Sequence, residues 1–220
     1  MAVNYTANSL AADEVVREIR ADGGQAMSVR ADVADEAQVM TMFERIDAKF
    51  GRLTGLVNNA GVVDVSARLD QMDMARWRRM FDINVLGSFL CAREAVRRMS
   101  TRHGGEGGAI VNVSSAAARL GSPREYVDYA AAKAAIDAFT IGLAKEVGGE
   151  GIRVNAVRPG LIETDIHASG GLPDRVRDLQ HQVPMGRGGR ADEVAQAIVW
   201  LLSDAASYTT MALLDVSGGR

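Results

Sequence analysis

Short runs of β-favouring residues alternate with longer stretches of helical periodicity along almost the whole chain, and that alternation leaves few folds open. Parallel strands need long crossovers, so this rhythm predicts βαβ units and a parallel sheet. The strand readings are a stub at Ala2 to Tyr5, then Gln25 to Val33, Leu53 to Val57, Ala109 to Val113, Ile152 to Val157 and Ala212 to Val216. Helical patterns run from about Ser9 to Ala21, Asp35 to Phe50, Asp73 to Arg102, Glu125 to Val147 and Ala191 to Ser203. In the second of these, Val39, Met42, Phe43 and Ile46 recur at helical spacing and Gly51 stops the helix. Leu161 to Gly188 has mixed polarity and reads as a loop with a short helix near Pro173 to Gln180. The prediction is one α/β domain over residues 1–220, a doubly wound parallel sheet. A length of 220 residues suits a single domain.

In open parallel sheets, ligands bind beyond the carboxyl ends of the strands. Here those ends carry Asp32-Val33, Asn58 to Gly61, Ser114-Ser115 and Pro159-Gly160, which are polar or contain glycine, as a crevice needs. The formal net charge of −3 gives no reason to expect nucleic acid or an anionic membrane as partner. The basic run Arg76, Arg78, Arg79 beside Asp73 and Asp82 reads as a solvated helix face. His103, His167 and His181 have no metal-ligand spacing, so no metal is expected, and Glu163 and Asp165 read as loop solvation. The lone Cys91, in an apolar stretch, excludes an internal disulfide framework and points to the cytoplasm. No apolar run has the length of a membrane span, and the first residues do not read as a secretory signal.

Chemistry enters with Tyr129-Ala130-Ala131-Ala132-Lys133. At i and i+4 on a helix the two side chains share a face. A free phenol titrates near 10, and a neighbouring ammonium favours the phenolate, so the pair predicts an acid/base tuned towards neutrality. Ser115, at the end of the preceding strand, adds a hydroxyl to hold a substrate oxygen. Asn84 lies inside a helix pattern where asparagine is a poor choice, which calls for a local kink or a held water.

Asn58-Asn59-Ala60-Gly61, Asn84, Ser115, Tyr129, Lys133 and Pro159-Gly160 together resemble the short-chain dehydrogenase/reductase family, and the likeness extends from Asn4 to Arg220. It is nearest to the bacterial group with 3-oxoacyl reductases and glucose dehydrogenases. The resemblance implies a Rossmann-type fold and hydride transfer between a nicotinamide cofactor and a small carbonyl or alcohol substrate. Tyr129 would exchange the proton, Lys133 would lower its pKa and bond the nicotinamide ribose, Ser115 would orient the carbonyl, and Asn84 would hold a relay water. Asp32 and Val33 would line the adenine pocket. Asn59, Ala60 and Gly61 would line the adenosine side. Pro159, Gly160, Ile162 and Thr164 would cradle the nicotinamide. The family's usual assembly implies a homo-oligomer, a tetramer or dimer, with the helix Tyr129 to Val147 and the last strand at its interfaces.

Three features depart from that family. Its opening strand, T-G-x-x-x-G-x-G loop and helix, which bind the pyrophosphate, have no counterpart, and Met1 coincides with its second strand. The first strand is central in the order 3-2-1-4-5-6, so its neighbours lose a ladder partner, and the 220-residue form is not expected to hold the standard fold unaided. Thr209-Thr210-Met211-Ala212 has methionine where the family has glycine, a strained choice if φ is positive there. The gap from Ser115 to Tyr129 is one residue longer than usual. NADP(H) is the expected cofactor, with NAD a second possibility, because Asn4-Tyr5-Thr6 brings no carboxylate to the end of its strand. The missing loop also keeps open an alternative, a catalytically silent remnant that binds no cofactor and acts only through subunit contacts.

Overall fold

The structure, a computed structural model, describes residues 1–220. The elements follow in the order β1 (Ala2–Tyr5), α1 (Ser9–Ala21), β2 (Met27–Arg30), α2 (Glu36–Phe50), β3 (Gly55–Asn58), α3 (Met74–Phe81), α4 (Gly87–Met99), β4 (Gly108–Val113), α5 (Ala117–Leu120), α6 (Val127–Val147), β5 (Ile152–Pro159), β6 (Ile162–Glu163), α7 (Ile166–Ser169), α8 (Arg175–Leu179), β7 (Gly189–Arg190), α9 (Ala191–Leu202) and β8 (Leu213–Val216). Every strand pair is parallel.

The sheet is in two pieces. β1 pairs only with β2, and β3, β4, β5 and β8 form a four-stranded sheet in that order. In a Rossmann arrangement the break falls between β1 and β3. Each of these strands has one edge without a ladder partner, and Gly55 and Val57 of β3 are exposed. β4 and β5, flanked on both sides, are apolar and almost wholly buried, with Ile110, Val111, Val154, Ala156 and Val157 at 0% exposure. One core spans the break. Val29, Ala31 and Val33 beside β1 pack in the same cluster as Val39, Met42, Phe43 and Ile46 of α2, Cys91 and Ala95 of α4, and Ile110 and Val154.

Helix starts follow side-chain caps. Asn8, Asp35 and Asp73 each accept a hydrogen bond from the backbone N–H three residues on, which fixes where α1, α2 and α3 begin. The single helix predicted over Asp73 to Arg102 is two helices joined by a wide π-type turn at Asp82–Leu86. Asn84 is the cause. Its Nδ2 donates to Met80 O at 2.9 Å, the carbonyl one turn back, and so competes with the regular ladder. The predicted loop from Leu161 is more ordered than its polarity suggests, because β6 pairs with β7 and encloses α7 and α8. Met211 has φ = 64°, the left-handed conformation in which methionine is strained.

Candidate active site

β4 and β5 run side by side in register, from Gly108↔Ile152 to Val113↔Val157, so their carboxyl ends open at one level. The residues just beyond them line a cavity of about 920 Å³, covered by the segment from Ile162 to Gln182. Asn59, Gly61, Ser115, Tyr129, Lys133, Pro159, Gly160, Ile162 and Thr164, singled out by sequence, all line it. Asp32, Val33 and Ala60 do not. Asp32 is occupied by the turn into α2, where its Oδ1 accepts from Ala34 N at 3.0 Å and its N–H donates to Gln38 Oε1 at 3.0 Å.

The two serines after β4 divide their work. Ser114 is buried and its Oγ donates to Lys133 O at 3.1 Å, bracing α6 against the sheet. Ser115 Oγ accepts from Ala117 N at 3.1 Å, and its side chain stands near enough to the Tyr129 phenol to favour the phenolate. Between them, Ser122 (φ = 41°) and Arg124 (φ = 66°) make an unusual turn after Gly121. Ser115 and Tyr129, on either side of it, line the same cavity. Tyr126, the other tyrosine nearby, commits its hydroxyl to Gly170 O at 3.3 Å.

Lys133 is 4% exposed, donates from Nζ to Val113 O at 2.8 Å, and stands 5.5 Å from the centre of the Tyr129 ring. Burial pulls its pKa down to about 8, against the charge of Asp137, one turn further along α6, which pulls it back up. Asp137 is itself held by Arg158 through Nε at 3.0 Å and Nη2 at 2.8 Å, both to Oδ2. The phenol does not follow the expected shift towards neutrality. Burial pushes Tyr129 up to about 12, and the nearby Ser115 side chain opposes it only in part. At neutral pH the tyrosine is therefore protonated beside a charged lysine.

Asn84 is at 0% exposure behind Gly61. Its Oδ1 accepts from Val62 N at 3.1 Å and its Nδ2 donates to Val62 O at 3.0 Å, so it pins the loop after β3. A methyl group on Gly61 would lie 2.8 Å from Asn84 Oδ1 and 3.4 Å from Lys133 Nζ, so only glycine lets the loop pass between them. Gly160 likewise lies against Ser217, whose Cα would be 2.7 Å from an added methyl.

Sequence reasoning missed two arginines. Arg76, read as part of a solvated face, is buried instead, with its Nε 2.7 Å from Asp128 Oδ2 and side chains 10% and 2% exposed. Asp128 Oδ1 also accepts from Tyr129 N at 3.0 Å, and Arg76 Nη1 donates to Val65 O, so the pair ties α3, the loop after β3 and the start of α6 together. Arg175 lines the cavity with a side chain only 12% exposed. The partners of both are about fifty residues away, and no local spacing could have announced them.

The nicotinamide half of a dinucleotide fits this site, with a glycine-floored passage beside Tyr129 and Lys133 and a polar rim at Thr164. Residues 1–220 contain no glycine-rich loop leading from a strand into a helix, the usual holder of the pyrophosphate half.

A family model described as enoyl-(acyl carrier protein) reductase matches residues 1–220. The uncharacterised oxidoreductase YgfF of Escherichia coli strain K12 is 55% identical over the whole chain, which covers 89% of that protein. The cis-4-hydroxycyclohexanecarboxylate dehydrogenase of Sinomonas cyclohexanicum is 44% identical over 94% of this chain and 82% of its own length. Among solved structures, a short-chain type dehydrogenase/reductase from Mycobacterium marinum superposes with a TM-score of 0.92 at 34% identity, over 99% of this chain and 84% of that one. A gluconate 5-dehydrogenase from Burkholderia cenocepacia, in complex with NADP and tartrate, superposes with a TM-score of 0.88 at 31% identity, again over 99% and 84%. With the whole chain matched and the strand ends, hydroxyls and lysine in one cavity, this chain belongs to the short-chain dehydrogenase/reductase family.

Proposed function

We propose that this chain transfers a hydride between NADP(H) and a small carbonyl or alcohol substrate, with Ser115, Tyr129 and Lys133 at the reacting centre. The observation that carries the reading is that Tyr129 and Ser115 share the wall of one cavity, with a buried lysine one helical turn away. The nicotinamide, when bound, gives or takes the hydride. Tyr129 gives its proton to the carbonyl oxygen in reduction, and Ser115 holds that oxygen as charge gathers on it. Lys133 favours the tyrosinate left behind and reaches the nicotinamide ribose. Asn84, held behind Gly61, keeps a relay water next to Lys133. A phenol that stays protonated at neutral pH suits the reductive direction. Pro159, Gly160, Ile162 and Thr164 would hold the nicotinamide, Asn59, Ala60 and Gly61 the adenosine side, and Asp32 and Val33, outside the cavity, the adenine.

NADP is favoured over NAD because β1 ends without a carboxylate and because the gluconate 5-dehydrogenase carries NADP. That enzyme and the cyclohexane relative make hydroxy acids natural first substrates to try. The chain self-associates in this reading. Leu86 (51% exposed) and Phe89 (43%), the latter stacked on Phe139, form one apolar face, and Val199, Trp200 and Tyr208 a second. Two such faces suit a tetramer. No helix is long and apolar enough to cross a membrane, and we place the protein in the cytoplasm.

Fluorescence titration of NADPH into the folded chain tests the reading, followed by turnover of wild type and Tyr129→Phe. Saturable micromolar binding and a rate loss of about 10²–10⁴-fold in the variant are expected. A folded chain that binds no NADPH leaves only the silent, contact-mediated role.

A further inference from the structure

We propose that the substrate carries a carboxylate at a distance from its reacting carbon, and that Arg175 receives it. The inference rests on the hydride-transfer reading above, because it assumes that the carbonyl sits at Ser115 and Tyr129.

Arg175 opens α8, in the segment that covers the cavity. Its guanidinium lies over the Tyr126 ring, 5.3 Å from the ring centre, and Nη2 stands 2.6 Å from Glu125 Oε2. Tyr126 cannot serve the substrate with its hydroxyl, which Gly170 O already accepts. The arginine is thus fixed by an aromatic face and one carboxylate. A guanidinium has five N–H donors in a planar fork. Glu125 engages one nitrogen, no other protein acceptor pairs with the group, and none of its unpaired nitrogens is fully buried. A nearly buried arginine, rigidly held and with donors to spare on a cavity wall, is suited to a second carboxylate in two-pronged contact.

The neighbours favour an anion there. His167 lines the same wall, but burial and the charge of Arg175 outweigh its bond to Ile162 O and hold its pKa below the usual value, so Arg175 is the charged donor at neutral pH. Glu125 is 32% exposed and shares its own charge with solvent. It positions the arginine without filling the site. Val63, Leu120, Ile166 and Leu179 supply apolar wall for a carbon skeleton.

Tyr126 caps α6 and Tyr129 follows three residues on, so an anion beside one and a carbonyl at the other belong to a single small substrate. The ligand class is a small oxo or hydroxy acid, for which the cyclohexane acid of the Sinomonas relative gives the first size to try.

Two measurements test this. Reduction of 4-oxocyclohexanecarboxylate, its methyl ester and cyclohexanone by NADPH is compared for wild type, Arg175→Met and Arg175→Lys. Wild type is expected to favour the acid by about 10–100-fold in kcat/KM, mainly through KM, since a hydrogen-bonded charged pair is at stake. Arg175→Met collapses that ratio, and Arg175→Lys, which keeps charge but not the fork, recovers part of it. Calorimetric titration with cyclohexanecarboxylate, an unreactive acid, gives saturable binding to wild type that Arg175→Met loses. Equal turnover of acid, ester and ketone by wild type overturns the proposal and leaves hydride transfer standing. If no ketone is reduced, the hydride-transfer reading falls, and the titration alone decides whether Arg175 takes a carboxylate.

Discussion

Replacing Lys133 with methionine is expected to remove activity and, at neutral pH, to make the fold more stable. Burial brings the lysine from its ordinary 10.5 to about 8. At about 1.4 kcal/mol per pH unit, the folded state disfavours the charged lysine at pH 7 by about 3 kcal/mol. Methionine fills a similar volume without charge, but Val113 O loses the donor that Nζ provides at 2.8 Å, which costs about 1–3 kcal/mol. The variant is thus favoured by about 1 kcal/mol at pH 7. The pH dependence is the sharper signature. A folded pKa below the unfolded one means that, between about 8 and 10.5, the unfolded chain binds more protons than the folded one. Wild-type stability therefore gains from this group as pH rises through that window. The variant has no such gain, so its advantage shrinks from pH 7 and has reversed by about pH 9.5. Tyr129, pushed up to about 12 in the fold, keeps its proton over this range. Urea unfolding of both proteins at pH 7.0, 8.5 and 9.5 gives the comparison. A stability difference that is constant across the three would refute the argument that Lys133 is held charged against its surroundings.

Met211→Gly relieves a left-handed conformation that costs a side chain about 1–2 kcal/mol, against about 0.5–1 kcal/mol for the freer unfolded glycine. With the methionine already 42% exposed, little packing is lost, and calorimetry should show Tm rising by about 1–3 °C; a fall would show that its side chain matters more than its backbone. Leu86→Glu places a charge on the apolar face beside Phe89, and sedimentation should show a smaller assembly than wild type, whereas an unchanged mass would remove α4 from the interface.

What could be read in the sequence was what local chemistry dictates. α1 spans Ser9–Ala21 as predicted because its cap and its stop are side-chain events within a few residues. The four apolar positions of α2 are all buried, as periodicity requires. Tyr129, Lys133 and Ser115 were visible because one turn of helix and one strand end bring them together. The misses depend on neighbours. Val57 is exposed because β3 pairs on one side only, not because of its own residue type. Arg76 looked solvated until Asp128, 52 positions away, came to meet it. Arg175 had no signal at all, since its role depends on which cavity a mixed-polarity segment covers. The Tyr129 phenol moved opposite to the simple pairwise expectation because desolvation depends on the whole surrounding fold, which spacing cannot report.

Asn84 joins two parts of the site that would otherwise be independent. Its side chain gives up part of the regular helical ladder at Met80 in order to bond Val62, in the loop after β3. That loop passes Lys133 at Gly61, where there is no room for a side chain. One buried amide therefore sets both the bend of the helix and the wall against which the lysine lies, and no single substitution at Asn84 would change one without the other.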